Sequence, residues 1–330
     1  MRTDRLRALA ATAALCLLAA CGNPYGEPEQ FTIPEGSGLT AVADTLHAHE
    51  IVSWPGAFRL YARVRGSAGA IKPGVYRMQR GTPWDEVLRK LVAGEVVTVR
   101  ITIPEGWTAA QIATRIADST QVALDSVRAL VFDSSAAERY DVPGPTLEGY
   151  LYPATYIFPA GTRPEKVIST LVERYKRVWT PALRARADSL GMSEKEVVTL
   201  ASIVEREAKV WEERPTIAAV YHNRIRIGMP LQADPTVQYA LGEQQARLLY
   251  KHIDSVRESP YNTYTHSGLP PGPIASPSAG AIEATLNPAA VDYLFFVASP
   301  DGRHTFTRSL GEHNTAKRAA QRARDTLKGR

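Results

Sequence analysis

A hexapeptide that occurs twice constrains the fold of this 330-residue chain more than any other feature. Phe31-Thr32-Ile33-Pro34-Glu35-Gly36 returns as Ile101-Thr102-Ile103-Pro104-Glu105-Gly106. Each copy opens on the alternation of a strand, breaks at Pro-Glu-Gly, and passes into apolar residues at helical spacing: Leu39, Val42, Ala43 and Leu46 in the first, Ile112, Ala113 and Ile116 in the second. Two strand-turn-helix units are therefore predicted, and a repeat of this kind has to be recognised before single motifs are weighed. Between the copies the pattern predicts helices over 57–64 and 84–92 and strands over 74–78 and 96–103. A 44% hydrophobic content at this length suffices for one large core or two modest ones.

Helical periodicity resumes over 163–179, 181–190, 194–210 and 214–227, the last with Pro215 at a first-turn position. Ser193 followed by Glu196 has the spacing of a capping box, which fixes where the third of these helices starts. Residues 259–277 are rich in Gly, Pro, Ser and Thr, a composition that inside a domain suits a loop shaping a site. A strand over 293–298 and its partner over 302–307 close the pattern across a turn at 299–301. The fold class expected is α+β.

The formal charge of +5 raises the question of nucleic acid, and its placement answers it. Arg2, Arg5 and Arg7 stand against Asp4 at one end. Lys317, Arg318, Arg322, Arg324, Lys328 and Arg330 stand against Asp325 at the other, so the body of the chain is slightly acidic and no nucleic-acid partner is implied. The basic segment 315–330 reads as a solvated amphipathic helix or as a contact for a membrane surface. At the front, the basic start leads into an apolar run over 8–20 broken only by Thr12, shorter than the roughly 20 residues a comfortable spanning helix needs. It ends in Leu18-Ala19-Ala20-Cys21, which resembles a bacterial lipobox with Cys21 as the lipid-attachment residue. Residues 1–21 are thus a lipoprotein-type signal or a short membrane anchor, and 22–30, rich in Pro and Gly, a tether. Either way the remaining chain is expected outside the cytoplasmic membrane and held to it. Cys16 falls inside the leader, so the mature chain has no intramolecular disulfide to form.

In Leu200-Ala201-Ser202-Ile203-Val204-Glu205-Arg206-Glu207 the two carboxylates are two residues apart, hence about 200° apart around a helix, and do not face one another. Glu207 is flanked by Ile203, Val204, Val210 and Trp211, which suits packing. Glu205 has Ala201, Ser202 and Ala208, small residues that leave room for a sugar ring, and partial burial there would hold a proton near neutrality. His252, His266 and His304 lack companions at metal-ligand spacing, and no phosphate loop or nucleophile elbow occurs. No cofactor or metal is implied.

The segment 201–207, followed by Asn223-Arg224-Ile225-Arg226-Ile227-Gly228-Met229-Pro230-Leu231-Gln232-Ala233-Asp234-Pro235-Thr236, resembles the catalytic core of the YceG-like family of endolytic murein transglycosylases. The likeness continues in the family's order through 147–156, 259–264, 268–274 and 302–306, covering about residues 31–314. It implies a small LysM-like subdomain over 31–100, a mixed α/β catalytic domain over 101–314 and a basic tail over 315–330. It further implies that Glu205 is the acid/base cutting the MurNAc-GlcNAc bond of nascent peptidoglycan strands. The muramyl C6 hydroxyl would attack C1 to leave a 1,6-anhydro end, limiting strand length beside peptidoglycan synthases at the membrane. The inner membrane is favoured by the resemblance, the outer membrane if Cys21 is lipidated. The departure from the family is at the front, where members commonly carry a spanning helix.

By residue type, Asn223, Gln232 and Asn262 offer amides for acetamido and hydroxyl groups, and Tyr150, Tyr152, Tyr261 and Tyr264 offer faces for sugar stacking. Each equally suits a core or loop-fixing role. Asp234, before Pro235, is read as a turn bracing the cleft or as a second carboxylate. His304 would meet a peptide stem or satisfy a strand edge, and Glu148 would support the acid or make a turn. Tyr156 and Phe306 lean structural. The cleft is expected between the Glu205 helix, the Gln232 segment and the 261–273 loop. Two alternatives stay open: a hydrolytic muramidase using Glu205 and Asp234, and a non-catalytic peptidoglycan-binding lipoprotein.

Overall fold

The structure, a computed structural model, describes residues 24–245 and 248–328. The expected leader, lipobox and lipid-attachment residue Cys21 lie outside the described residues. The described residues divide into two compact units, one built from those between 24 and 100 together with Ile157–Arg163, the other from Ile101–Tyr156 and the described residues from Pro164 onward.

The first unit runs β1 (Tyr25–Ile33), α1 (Leu39–Ala48), α2 (Pro55–Val64), β2 (Gly74–Arg80), α3 (Trp84–Ala93). β1 and β2 pair antiparallel with Phe31 opposite Tyr76 and Ile33 opposite Gly74. Phe31 and Ile33 are buried while Thr32 between them is exposed, the alternation read from the sequence. They meet Val42, Leu46, Phe58, Met78, Trp84 and Leu91 in one apolar cluster. The segment 22–30 is not simply a tether, because β1 already begins at Tyr25, opposite Arg80. The ladder slips between Tyr25 and Glu29, where Gly26 takes a φ of 72° and Pro28 has no N–H to offer. It is then anchored by the Glu29 carboxylate, 3.1 Å from His49 Nδ1. Residues 157–163 return to this unit, with Ala160 N–H donating to the Val97 carbonyl at 2.8 Å and Val97 N–H to Val75 at 2.7 Å.

β3 (Thr98–Ile103) pairs with β4 (Ala154–Pro159), and the division of the chain falls within these strands. Both hexapeptide copies fold as strand, turn and helix, with Gly36 and Gly106 at φ of 78° and 71°, a conformation that a residue without Cβ adopts freely. The second unit continues as α4 (Ala109–Thr120), α5 (Leu124–Phe132), α6 (Pro164–Lys176), α7 (Pro181–Ser189), α8 (Glu194–Glu207), α9 (Arg214–Arg226), α10 (Asp234–Leu241), α11 (Ala279–Leu286), β5 (Phe295–Ala298), β6 (His304–Thr307) and α12 (Leu310–Lys328). The class is therefore mixed α and β with small antiparallel sheets.

α8 is the axis of this unit. Every residue from Val197 to Val204 is buried, the mark of a helix surrounded on all sides, and α9, α10 and α11 pack around it. Its start is the expected box: Ser193 Oγ accepts from Glu196 N–H at 3.3 Å, and the Glu196 carboxylate accepts from Ser193 N–H at 2.8 Å. Asp234 does not mark a turn; it is the first residue of α10, where a following proline is compatible with a first turn. Nor is residue 315 a boundary. α12 starts at Leu310 and lies against β5 and β6, buries Ala320, and places Arg324 Nη2 2.6 Å from the Ala298 carbonyl oxygen.

Candidate active site

α8 ends on the two carboxylates singled out in the sequence, and the fold treats them oppositely. Glu205 is closed off. Its Oε1 accepts from Arg214 Nη2 at 2.6 Å, and its Oε2 accepts from Ser278 N–H at 2.9 Å and Ser278 Oγ at 2.6 Å. Arg214 opens α9 and Ser278 caps α11, so a guanidinium and the N-terminus of one helix converge on one carboxylate, a favourable place for negative charge. The Glu205 and Arg214 side chains are 5% and 4% exposed, which leaves no oxygen of Glu205 free to meet a substrate. Gly106 of the second hexapeptide lies beneath: a Cβ there would stand 3.7 Å from Glu205 Cγ. Neighbouring Glu105 reaches to 3.8 Å from Arg214 Nη2, and its carboxyl is pushed up from the usual range by burial and by the Glu205 charge. The expectation that small neighbours leave Glu205 in an open groove is therefore corrected, because residues far away in sequence fill that groove with an ion pair.

Glu207, expected to pack, is instead a carboxyl with a raised pKa. It is half-buried at the end of α8. Desolvation, reinforced by the charge of Asp234, pushes its pKa up to about 7, against the opposing pull of a hydrogen bond from Tyr221 and the charges of Arg224 and Arg206. Tyr221 Oη donates to Glu207 Oε1 at 3.1 Å. Asp234 is exposed and its Oδ1 accepts from Tyr264 Oη at 2.6 Å. The phenol of Tyr264 is pushed up by burial and by the charges of Asp234 and Glu207. Thr263 binds the Asp234 segment to the 259–264 loop: its carbonyl accepts from Gln232 N–H at 3.0 Å and its hydroxyl from Ala233 N–H at 3.0 Å. Gln232 is exposed at a φ of 49°, a strained conformation for a side-chain-bearing residue and one that collects at functional sites. The Gln232 segment and the 261–264 loop thus gather on the Glu207 side of α8, not around Glu205.

The other nominated residues separate into enclosed and accessible. Tyr150 is fully buried, edge-on to Tyr175, and offers no face to a sugar. Asn262 is also fully buried; its amide donates to the Ile253 and Val256 carbonyls, and its Oδ1 accepts from Tyr264 N–H. Asn223 donates to the Val291 and Tyr293 carbonyls, fastening α9 to the segment before β5. These three side chains are engaged in holding the fold. His304 Nδ1 lies 2.7 Å from the Glu213 carboxylate beside α9, its ring edge-on to Phe296. Tyr152 is half-buried, its carbonyl accepting from Tyr156 Oη. Tyr261, also half-buried, packs on Tyr239 with ring centroids 4.9 Å apart.

Glu148 is buried with Oε1 accepting from Ala109 N–H at 2.9 Å at the start of α4. Burial pushes its pKa up to about 8, although hydrogen bonds from Ala109, Tyr239 and Gly149 pull the other way. A carboxyl raised in the folded state contributes stability that is fully present below its unfolded pKa and lost as pH rises through its folded one. We expect the unfolding free energy to fall between about pH 4.5 and 8 with a slope of up to about 1.4 kcal/mol per pH unit, and Glu148→Gln to flatten the profile. Thermal unfolding at a series of pH values measures this; a variant profile as steep as the parent's would contradict it.

Arg214, Ser278 and Tyr221 were not singled out in the sequence. Ser278 before the apolar run of α11 is a legible N-cap, and Pro215 places Arg214 at the start of a helix, but neither signal names the carboxylate they meet.

A mixed α and β protein whose buried central helix ends on a raised, half-buried carboxyl is the class that fold and site define. Residues 31–319 match the model of the YceG-like family. The chain belongs to that family. It is 35% identical over 301 residues to the endolytic murein transglycosylase of Bacillus subtilis (strain 168), covering 86% of this chain and 82% of that protein. It is 31% identical over 316 residues to the endolytic murein transglycosylase of Streptococcus pneumoniae serotype 2, there spanning 56% of the relative's length. The crystal structure of a YceG-like protein from Listeria monocytogenes is similar with a TM-score of 0.61 at 32% identity, over 88% of this chain and 98% of that one.

Proposed function

We propose that this chain is a lytic transglycosylase that cuts peptidoglycan glycan strands internally, with Glu207 and not Glu205 as its acid and base. The observation that carries the assignment is a half-buried carboxyl with a pKa of about 7, where a general acid is most effective near neutral pH. The Glu207 proton passes to the oxygen joining C1 of N-acetylmuramic acid to C4 of N-acetylglucosamine, and the C1–O bond breaks. The carboxylate left behind accepts the proton of the muramyl C6 hydroxyl as that oxygen bonds to C1. The new end is a 1,6-anhydro sugar, no water is consumed, and Glu207 is protonated again. Tyr221 steadies the carboxyl, while exposed Gln232 and half-buried Tyr261, Tyr264 and Tyr152 are the groups we assign to the sugar. The names of the relatives from Bacillus and Streptococcus support the same chemistry.

A role in ending strand growth beside synthases, and attachment to the membrane through the N-terminus with the enzyme on the periplasmic side, belong to the same proposal. Among the described residues no helix is long and apolar enough to cross a membrane. The β1-α1-α2-β2 order of the first unit is consistent with a LysM-like module that touches glycan.

Asp234 favours a second reading. Its charge acts on Glu207, and a carboxylate pair that admits water between its members would hydrolyse the strand instead. Mass spectrometry of purified sacculi digested by the enzyme separates the two. Ends lighter by one water than reducing muramyl ends are expected; reducing ends would instead establish a muramidase, and intact sacculi would remove both.

A further inference from the structure

On the opposite side of α8 from Glu207, where Arg214 holds Glu205, the second unit has a surface pocket of about 290 Å³ that the proposed cutting mechanism does not use. Trp211, Arg214, Pro215, Gly280, Glu283 and Asn287 line it. Trp211 is 59% exposed and has the Arg214 guanidinium 4.1 Å from its ring centre, so the indole is braced on that cation while much of its surface meets solvent. The Arg214 side chain is 4% exposed, and its Nε–H has no acceptor in the protein, a donor left unsatisfied at a free-energy cost. At Gly280 a Cβ would come within 3.2 Å of Arg214 Nη1 and 3.4 Å of Trp211 Cζ3, so this floor is open because the residue there has no side chain. Exposed Glu283 accepts only, and exposed Asn287 can both donate and accept.

We propose that this pocket is a second saccharide site, taking an N-acetylhexosamine unit of a glycan strand at a point away from the bond being cut. The chemistry of such a unit matches the lining group by group. Its C–H face lies on the Trp211 indole, its acetamido oxygen accepts from the Arg214 guanidinium, and its hydroxyls donate to Glu283. The site rests on the reading that the chain acts on peptidoglycan strands. A strand held here as well as at Glu207 is presented to the cutting carboxyl at raised local concentration, which favours long strands over short fragments.

The test is calorimetric titration of the full chain with chitotetraose, the β-1,4 tetramer of N-acetylglucosamine. Trp211→Leu is expected to weaken binding about tenfold and Glu283→Leu about fivefold, with thermal unfolding unchanged in Glu283→Leu as the check on folding. Glu207→Gln is expected to leave this binding in place. Tetramer affinity unaltered by both Trp211→Leu and Glu283→Leu, or absent from the parent chain, overturns the site. Cleavage of sacculi by the parent is scored separately, so an inactive parent that still binds through Trp211 and Glu283 refutes the lytic reading and leaves the pocket standing.

Discussion

Glu207→Gln is expected to lower strand cleavage by about 10²- to 10⁴-fold while the protein unfolds at close to the parent temperature. An amide keeps the shape of the carboxyl and can still accept the Tyr221 hydroxyl, so the fold is spared, but it has no proton to deliver. The parent's pH profile carries the same assignment. With a folded pKa of about 7, the protonated fraction of Glu207 shrinks as pH rises past neutrality, and the rate should fall on that alkaline side. Glu205→Gln is the discriminating control, since it disturbs the ion pair with Arg214 without touching the reacting group. A Glu207→Gln enzyme that still cuts, beside a well-folded Glu205→Gln enzyme that does not, would return the acid to position 205.

The second large effect is on stability. Arg214→Met removes the cation from a carboxylate whose side chain is 5% exposed, and it also removes the guanidinium stacked on Trp211. An uncompensated buried charge costs on the order of 3–5 kcal/mol, and denaturant unfolding should register a loss of that size. The double variant Glu205→Gln with Arg214→Met should recover part of it, because a neutral amide can still accept the Ser278 hydrogen bonds. Ser278 therefore holds the end of α8 even without the ion pair. A single variant within about 0.5 kcal/mol of the parent would show that the pair contributes little.

Much of the architecture was legible because it is written in short-range chemistry. The Ser193 and Glu196 box set the first turn of α8, Pro215 the first turn of α9, and the alternation around Phe31 and Ile33 the inward face of β1. The repeat foretold two strand-turn-helix passages. What was misread depends on partners distant in sequence. Ala201, Ser202 and Ala208 suggested space around Glu205, yet Ser278, 73 residues away, and Arg214 occupy it. Ile203, Val204 and Trp211 suggested packing around Glu207, and it is that burial, reinforced by the charge of Asp234, which sequence neighbours do not reveal, that raises its carboxyl against the pull of the Tyr221 hydrogen bond. Asp234-Pro235 looked like a turn because a proline compatible with the first turn of a helix also suits a bend. Tyr150 and Asn262 were nominated by side-chain type, and type does not report that both are fully enclosed.

The return of residues 157–163 to the first unit makes that unit discontinuous along the chain. During synthesis the part of this unit before Ile101 emerges without its last piece, and the Val97 carbonyl waits for Ala160 until all of β4 has been made. A fragment ending at Arg100 would lack that partner and cover for Val75, whose Cγ2 would stand 3.8 Å from a Cβ at Gly161. Excising the first unit as an independent piece therefore requires grafting a distant heptapeptide onto it, and the ribosome delivers the two modules interleaved, not one after the other.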